Sequence, residues 1–181
     1  MTLESVKPTS IAHPPKLIPV FLINLQISPD PEPIYADNLT NRGLNLATVT
    51  DGQITTVENE LGVQFDVKNI SGFDDLTNDL KTGTTFLDCK LYGKIGENGV
   101  YITYPGVLNL NQPTLDVFTK KTSTSSFEDS YITCSPKFVF DTKSVDEKYH
   151  WVLKENFHGK GRFVRDDQGL LYVQYYVYVY R

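Results

Sequence analysis

The 181-residue sequence has few of the residues from which metal and disulfide sites are built, with only two cysteines and three histidines. Cys89 and Cys134 lie inside apparent strands, so we expect two small, buried thiols in a reducing compartment, although the sequence leaves a disulfide between them open. No HxH or HExxH spacing connects His13, His150 and His158. The sequence therefore predicts no metal site.

The motifs of the common cofactor-dependent and hydrolytic enzymes are also missing. The chain contains no phosphate loop, no GxGxxG segment that opens a helix, and no G-x-S-x-G elbow. These motifs position phosphates or an activated serine, so their absence argues against nucleotide cofactors and against serine hydrolysis. We expect a protein without a cofactor.

Concentrated positive charge is absent as well. The net charge is −5 and the Lys and Arg residues are scattered, whereas nucleic acids and anionic membranes require a clustered basic surface. The apolar run near the start, Leu17–Leu25, is too short to span a bilayer and lacks the basic head and cleavage site of a signal peptide. We therefore expect a cytoplasmic protein with no nucleic-acid or membrane partner.

The most informative stretch that is present is the last one, Leu170–Arg181. Apolar residues alternate there with tyrosines, which is the period of two of a β-strand and fits no helical stripe. So long a strand exposes unpaired backbone groups unless it lies within a sheet or closes a barrel. The pattern leaves open whether the tyrosine face or the valine face points inward.

Most of the remaining chain reads as short strands joined by turns. We expect a loop at Pro29–Arg42 because of its prolines, a hairpin at the Asp51-Gly52 dipeptide, and a loop at Asp75–Lys81. Short helices are expected at Gln112–Lys120 and Val145–Glu155. The expected strands are Leu17–Ser28, Leu44–Thr50, Gln53–Val57, Gly62–Ile70, Thr84–Ile95, Val100–Leu110, Phe127–Ser135, Lys137–Asp141 and Phe157–Arg165.

This organisation predicts an all-β fold. Residues 1–16 are expected to form a disordered leader, because they lack periodicity and contain little to bury, and residues 17–181 a single domain. Hairpin-linked strands without alternating long helices exclude a parallel α/β sheet and leave a sandwich or a barrel. We expect a single antiparallel, up-and-down, lipocalin-like β-barrel with one or two short helices, because closure gives the terminal strand two neighbours.

The C-terminal third resembles a known family. The run Tyr131-x4-Pro136-x-Phe138 is followed by Tyr149-x-Trp151, and then by Phe157, Gly159 and Gly161. This spacing is similar to the signature of the domain of unknown function 3237, a family of bacteria and fungi, and the chain resembles a fungal-type member. The resemblance implies an antiparallel barrel with a central cavity, and no established activity.

Two carboxylates also match this resemblance. Asp74 falls in the G-x-D part of the pattern, and Asp88 precedes a basic residue and an aromatic one, here Tyr92. An ionisable group inside a small barrel is costly and commonly functional, so both are candidate catalytic residues, with Tyr104 or Tyr131 as a hydrogen-bonding partner. The alternative is structural: Asp74 caps a turn, and Asp88 pairs with Lys90 or a strand-end amide.

The candidate ligand-binding residues are chiefly aromatic and come from several strands and one helix. Tyr149 and Trp151 could plug one end of the barrel and line its cavity, or serve only as core packing. Thr133 stands where bacterial members of the family tend to carry Arg. The full candidate set is Tyr92, Tyr104, Tyr131, Thr133, Tyr149 and Trp151.

Three functional hypotheses follow from these observations. The first is a barrel that binds a small apolar or aromatic molecule in its cavity. The second is a cofactor-independent lyase, isomerase or cyclase of the same shape that uses one Asp as its base. The third is an interaction module that assembles with copies of itself, such as a homodimer.

Overall fold

Ten antiparallel β-strands dominate the part of the chain that the computed structural model describes, residues 13–181. The predicted leader falls mostly on residues 1–12, which lie outside the described residues. Among the described residues, no helix has the length and apolarity needed to cross a membrane. The elements are β1 Leu17–Ile27, β2 Glu32–Asp37, β3 Arg42–Thr56, β4 Lys68–Asp79, β5 Thr84–Ile95, β6 Asn98–Asn109, helix α1 Gln112–Phe118, β7 Tyr131–Cys134, β8 Lys137–Val139, a 3₁₀ helix Glu147–Lys154, β9 His158–Arg165 and β10 Leu171–Tyr180.

The strands close into a barrel because β1 pairs with both β10 and β3. Phe21, for example, lies opposite Val177 on one side and Thr56 on the other. The strands from β2 to β7 pair in chain order, and β7 and β10 each pair with β9. β1 and β2 lie end to end along β3, and β7 and β8 lie end to end along β6. The described chain thus forms a closed antiparallel barrel of eight strand positions with two short helices, which confirms the predicted fold class.

The terminal strand β10 turns its valine face inward. Leu171, Val173, Tyr175, Val177 and Val179 are all buried, whereas the alternate tyrosines are half-buried or exposed. This arrangement removes apolar side chains from water and leaves the outer tyrosine hydroxyls within reach of solvent. The barrel therefore has an apolar interior on this side, with Tyr175 as its one inward-facing tyrosine from β10.

An aromatic cluster fills one end of the barrel. Phe21 of β1 packs against Phe65, Phe138 and Phe157, with ring centroids 5.2 to 5.9 Å apart. The 3₁₀ helix adds Trp151, whose indole Nε1 donates a hydrogen bond to the Gln64 carbonyl at 2.9 Å, and Tyr149, which packs on Phe65. This end is closed by side chains, which leaves the opposite end for a cavity.

Several local predictions are wrong. The Asp51-Gly52 dipeptide makes no hairpin, because β3 runs through it and pairs with β1. A Cβ at Gly52 would lie 2.7 Å from Leu25 Cδ2, so this glycine serves the close approach of two strands rather than a turn. The expected loop at Pro29–Arg42 contains β2, which is paired to β3 although it carries Pro33.

The region around β4 also differs from the expectation. The strand expected at Gly62–Ile70 is mostly loop, and β4 begins at Lys68 and continues to Asp79 through the expected loop. Its polar and glycine-containing sequence is extended because it is hydrogen-bonded to β3 on one side and β5 on the other. Hydrogen bonding along both edges thus keeps β4 extended, although its sequence has only a weak propensity to form a strand.

Candidate functional site

A cavity of about 250 Å³ opens at the end of the barrel opposite the aromatic cluster. Its walls come from β3 to β7, β9 and β10, and its mouth lies between the β1–β2 connection and helix α1. Apolar side chains make up most of the lining, which consists of Ile27, Ser28, Pro29, Pro31, Asn45, Ala47, Val49, Asp74, Leu76, Asn78, Thr85, Leu87, Tyr104, Leu108, Leu110, Phe118, Ile132, Phe163, Leu171, Val173 and Tyr175.

Asp74 brings an ionisable group into this apolar space. It lies on the inward face of β4, opposite Ala47 of β3 and Cys89 of β5, and is 8% exposed. Its Oδ1 accepts a hydrogen bond from the backbone N–H of Asp88 at 2.9 Å. Its Oδ2 has no hydrogen-bond partner within residues 13–181, so this oxygen is available to a ligand in the cavity.

The surroundings of Asp74 make it a weaker acid than usual. Burial raises the pKa of its carboxyl group from 3.8 to about 7, because desolvation disfavours the charged form. The hydrogen bond from the Asp88 amide opposes this increase in pKa, while the charges of Asp75 and Asp88 add to it. Asp74 can therefore donate or accept a proton near neutral pH.

Tyr104 and Tyr175 form the deep wall beside Asp74. Their rings meet edge to face with centroids 5.8 Å apart, and Tyr104 lies opposite Cys89 on the neighbouring strand. A Cβ at Gly161 would lie 2.7 Å from two ring carbons of Tyr175, so the glycine creates the space in which this ring lies across β9. The position of the Tyr175 ring in this wall therefore depends on Gly161, the residue opposite it on the paired strand.

The two cysteines lie buried in the same region as free thiols. Burial raises the pKa of the Cys89 thiol well above its ordinary value, and the nearby Asp74 carboxylate raises it further. The pKa of Cys134 is raised by the same two causes. Both are therefore inert thiols at neutral pH, as expected for small buried residues, and not activated nucleophiles.

Polar side chains also lie between Asp74 and the mouth. Thr85 Oγ1 donates a hydrogen bond to Asn78 Oδ1 at 2.7 Å, and Asn78 Nδ2 donates to the Leu76 carbonyl at 3.1 Å. Asn45 lines the cavity without a side-chain hydrogen bond to any other described residue. Sequence reasoning missed Asn45, because it lies between Leu44 and Leu46 in an expected strand, and only the pairing with β4 shows that its side chain faces the cavity.

Two of the predicted site residues meet at the cavity, and the others lie elsewhere. Asp74 and Tyr104 line it, whereas Asp88, Tyr92 and Tyr131 point outward from the barrel, with Tyr92 47% and Tyr131 48% exposed. The expected placement of these three residues in the cavity is therefore wrong. Strand periodicity is the reason, because Asp88 and Tyr92 share the face of β5 opposite to Cys89 and Leu91.

Thr133, Tyr149 and Trp151 also lie away from the cavity. Thr133 Oγ1 accepts a hydrogen bond from the Val107 backbone N–H at 3.3 Å on the outer side of the β6–β7 pair. Tyr149 and Trp151 belong to the aromatic cluster at the closed end. The expectation that these two residues plug one end of the barrel fits this position, but they do not line the cavity.

The mouth of the cavity is held in place by a buried arginine. Arg165 of β9 donates hydrogen bonds to the carbonyls of Val117 and Phe118, at 2.8 and 3.1 Å, and to that of Gly169 at 2.8 Å. The contact with Phe118 satisfies a carbonyl at the end of helix α1 that has no other partner among the described residues, whereas the Val117 carbonyl also accepts from the Lys120 N–H at 3.2 Å. The Arg165 contacts hold Phe118 against Phe163, with ring centroids 4.7 Å apart, where both side chains line the cavity.

The fold matches solved structures of low sequence identity. One is a protein with unknown function from Clostridium acetobutylicum, with a TM-score of 0.63 and 13% identity over 93% of this chain and 99% of that one. Another is a conserved protein of unknown function from Rhodopseudomonas palustris, with a TM-score of 0.66 and 16% identity over 95% of this chain and 100% of that one. At these identities the likeness establishes the fold alone.

The sequence itself connects the chain to a family. No curated protein matches it. The model of the family described as "Protein of unknown function (DUF3237)" matches residues 15–180, which span the whole barrel from β1 to β10. Together with the C-terminal signature and the closed barrel, this match shows that the chain belongs to the DUF3237 family.

Proposed function

We propose that the barrel binds a small, largely apolar molecule in its cavity and holds it through Asp74. The observation that carries this proposal is the carboxyl group of Asp74, which faces an apolar cavity with one oxygen unpartnered by any described residue. Leaving an ionisable group in such a place destabilises a fold. A binding role gives this costly arrangement a function.

The size and lining of the cavity favour the same role. About 250 Å³ accommodates a molecule of one or two rings, and ligand sites are typically apolar pockets with a few placed polar groups. Leu87, Leu108, Ile132 and Phe163 supply apolar contact, while Asp74 supplies orientation. The aromatic cluster closes the other end of the barrel, so the ligand enters between the β1–β2 connection and helix α1.

Titration with a neutral two-ring fluorescent probe, 1-naphthylamine, tests this proposal. We expect saturable binding of one probe per chain. Ala47→Leu, which adds bulk opposite Asp74, should weaken it roughly tenfold or more through steric conflict in a filled space. Thr48→Leu is the matched control, because Thr48 is the exposed neighbour of Ala47 on the same strand. Equal binding by both variants, or no saturable binding, would overturn the proposal.

A second candidate is an enzyme that uses Asp74 as a general acid or base. The observation that favours it is the pKa of about 7, since a catalytic proton carrier works best near the operating pH. Tyr104 lies two strands from Asp74 in the same cross-strand row, because Cys89 is opposite both, and its hydroxyl lines the same cavity as a donor for a substrate oxygen. Isomerisation, elimination or cyclisation of a bound molecule needs no more than such a pair.

The enzyme candidate has its own test. Native mass spectrometry of protein purified from its own host would identify a bound molecule, which is then incubated with the protein at pH 5 to 9. We expect turnover with an inflection near pH 7, its loss in Asp74→Asn, and its retention in Asp88→Asn, whose side chain lies outside the cavity. Unchanged turnover in Asp74→Asn would remove this candidate.

A further inference from the structure

On the β3–β4 side of the cavity, two polar groups lack partners, while Asn78 on the same side is hydrogen-bonded. Asp74 Oδ2 and the side-chain amide of Asn45 make no hydrogen bond with any residue in the described range 13–181, and both residues line the cavity. By contrast, Asn78 and Thr85 bond to each other and to the backbone. Polar groups in an apolar site are costly unless paired, so the two open groups indicate where a ligand makes its hydrogen bonds.

The register places these two groups on one side of the cavity. Ala47 lies directly opposite Asp74, and Asn45 is two residues from Ala47 on the same inward face of β3. Asn45 and Asp74 are thus diagonal neighbours across two paired strands, about 7 to 8 Å apart. The other side is mostly apolar, built from Leu108, Ile132, Phe163 and Val173, with Tyr104 and Tyr175 at its deep end.

The charge of the lining restricts the ligand further. Among the described residues that line the cavity, Asp74 is the one carboxylate, and no Lys, Arg or His is present. An anionic ligand would have to lose its hydration without a counter-charge and would lie beside Asp74. The cavity therefore disfavours carboxylates and phosphates.

The two open groups require different partners. Asp74 Oδ2 accepts a hydrogen bond when the carboxyl group is ionised and donates one when it is protonated, and a ligand hydroxyl serves as the partner in both states. The Asn45 side-chain amide is partly buried and carries two N–H donors. Asn45 is therefore matched by an acceptor such as a carbonyl oxygen.

We infer that the ligand is a neutral compound of one or two rings with a hydroxyl group and a carbonyl group on the same edge. The hydroxyl forms a hydrogen bond with Asp74 Oδ2, the Asn45 amide donates to the carbonyl, and the ring face packs on the apolar wall formed by Leu108, Ile132 and Phe163. This inference rests on the proposed binding function and specifies the class of molecule bound.

A matched probe series tests it by calorimetric titration. The probes are 7-hydroxy-1-tetralone, which carries both groups on one edge, and 1-tetralone, 5,6,7,8-tetrahydro-2-naphthol and tetralin, which lack one or both. The fifth probe is 5,6,7,8-tetrahydronaphthalene-2-carboxylate. We expect each oxygen substituent to tighten binding roughly 3- to 10-fold, and the carboxylate to bind more weakly than tetralin.

Variants then assign the carbonyl contact. Asn45→Val should lower affinity for the hydroxytetralone to that for the tetrahydronaphthol and leave the tetrahydronaphthol unaffected. Asn109→Val, the same change at an exposed position of β6, should alter neither. The probe series on the unaltered protein is a test that does not depend on the folding of any variant.

The remaining outcomes separate this inference from the proposed function. If tetralin binds as tightly as 7-hydroxy-1-tetralone, the cavity is a ligand site and the inferred polar edge is wrong. Tighter binding of the carboxylate than of tetralin would likewise overturn the inference. If no probe binds, tetralin included, both the proposed function and this inference fail.

Discussion

The backbone N–H of Asp88 donates a hydrogen bond to Oδ1 of Asp74 at 2.9 Å. The side chain of Asp88 points the other way, to the outer surface, where it pairs with Lys90 at 2.8 Å. Asp88 therefore holds the buried carboxyl group through its backbone and takes no part in the cavity through its side chain. The two carboxylates that look alike in the sequence have separate roles because they face opposite sides of one wall.

The first prediction concerns the pH dependence of stability. The folded-state pKa of Asp74, about 7, lies above its unfolded value near 3.8, so the unfolded state loses the proton first and Asp74 destabilises the fold as pH rises between these values. Asp74→Asn removes this effect and can still accept the Asp88 hydrogen bond. We expect the variant to gain roughly 2 to 3 kcal/mol relative to the unaltered protein between pH 5 and pH 8.

Urea denaturation at several pH values measures this difference. The comparison between variant and unaltered protein cancels the titration of the other groups. Asp75→Asn provides a control, because that carboxylate lies on the next position of β4 and pairs with Lys90 outside the barrel at 2.9 Å. A stability difference for Asp74→Asn that does not increase with pH would contradict the raised pKa.

The second prediction is that Asp88→Asn has little effect. The Asp88 side chain is 68% exposed, and its ion pair with Lys90 is of a kind that contributes about 0 to 1 kcal/mol. Its backbone N–H remains in place to bond Asp74. We expect a change below about 1 kcal/mol in the free energy of unfolding and unaltered affinity for 7-hydroxy-1-tetralone. A large loss of affinity would show that its side chain reaches the ligand.

The third prediction concerns the glycine under Tyr175. A Cβ at Gly161 would lie 2.7 Å from two carbons of the Tyr175 ring and 2.8 Å from Ile132 Cγ2, so Gly161→Ala forces the ring and β9 apart. We expect a loss of roughly 1 to 3 kcal/mol in thermal or urea unfolding. Gly99→Ala is the control, because its Cβ would meet only Tyr92 Cε2, at 3.6 Å. Equal losses of stability in the two variants would contradict the close contact between Gly161 and the Tyr175 ring.

The fourth prediction concerns the arginine behind helix α1. Arg165→Met removes three hydrogen bonds to the carbonyls of Val117, Phe118 and Gly169. Because the carbonyls of Phe118 and Gly169 would be left without a partner and such groups are costly when buried, we expect a loss of roughly 2 to 4 kcal/mol. Hydrogen exchange should accelerate in α1 before it does so in β5.

Arg42→Met is the control for Arg165→Met. The Arg42 guanidinium lies 4.0 Å from the Asp79 carboxylate near the surface, so its removal should cost less than about 1 kcal/mol. Uniform acceleration of hydrogen exchange across the barrel in Arg165→Met would show that Arg165 supports the whole fold rather than helix α1.

Regular alternation made the strands that follow it predictable. β5, β6, β9 and β10 lie within a few residues of their expected bounds, because each has one buried and one exposed face and hence a clear period of two. β4 was not predictable in this way. Its Gly72 and successive acidic residues resemble a turn, and it is a strand because β3 and β5 pair with both of its edges.

The residues of the candidate site also differ in how far the sequence predicts them. Asp74 and Tyr104 were found from the chemistry of a carboxylate and a tyrosine near the family motifs, and both line the cavity. Asn45 carries no such signal, and only its register beside Ala47 and Asp74 brings it to the polar edge. Tyr131 and Trp151 belong to the family signature as well, yet they lie on the outer surface and in the closed end.

The sequence by itself determined that Leu170–Arg181 is a strand with two unlike faces and that the chain has an all-β fold, because hydrophobic periodicity is a property of the chain alone. Which face points inward was decided only by the tertiary structure. Closure against β1 and β9 encloses the valine face together with Tyr175, and turns the other tyrosines toward solvent. The same closure separates Asp74 from Asp88, because the side of a strand that becomes the interior depends on its neighbours across the barrel.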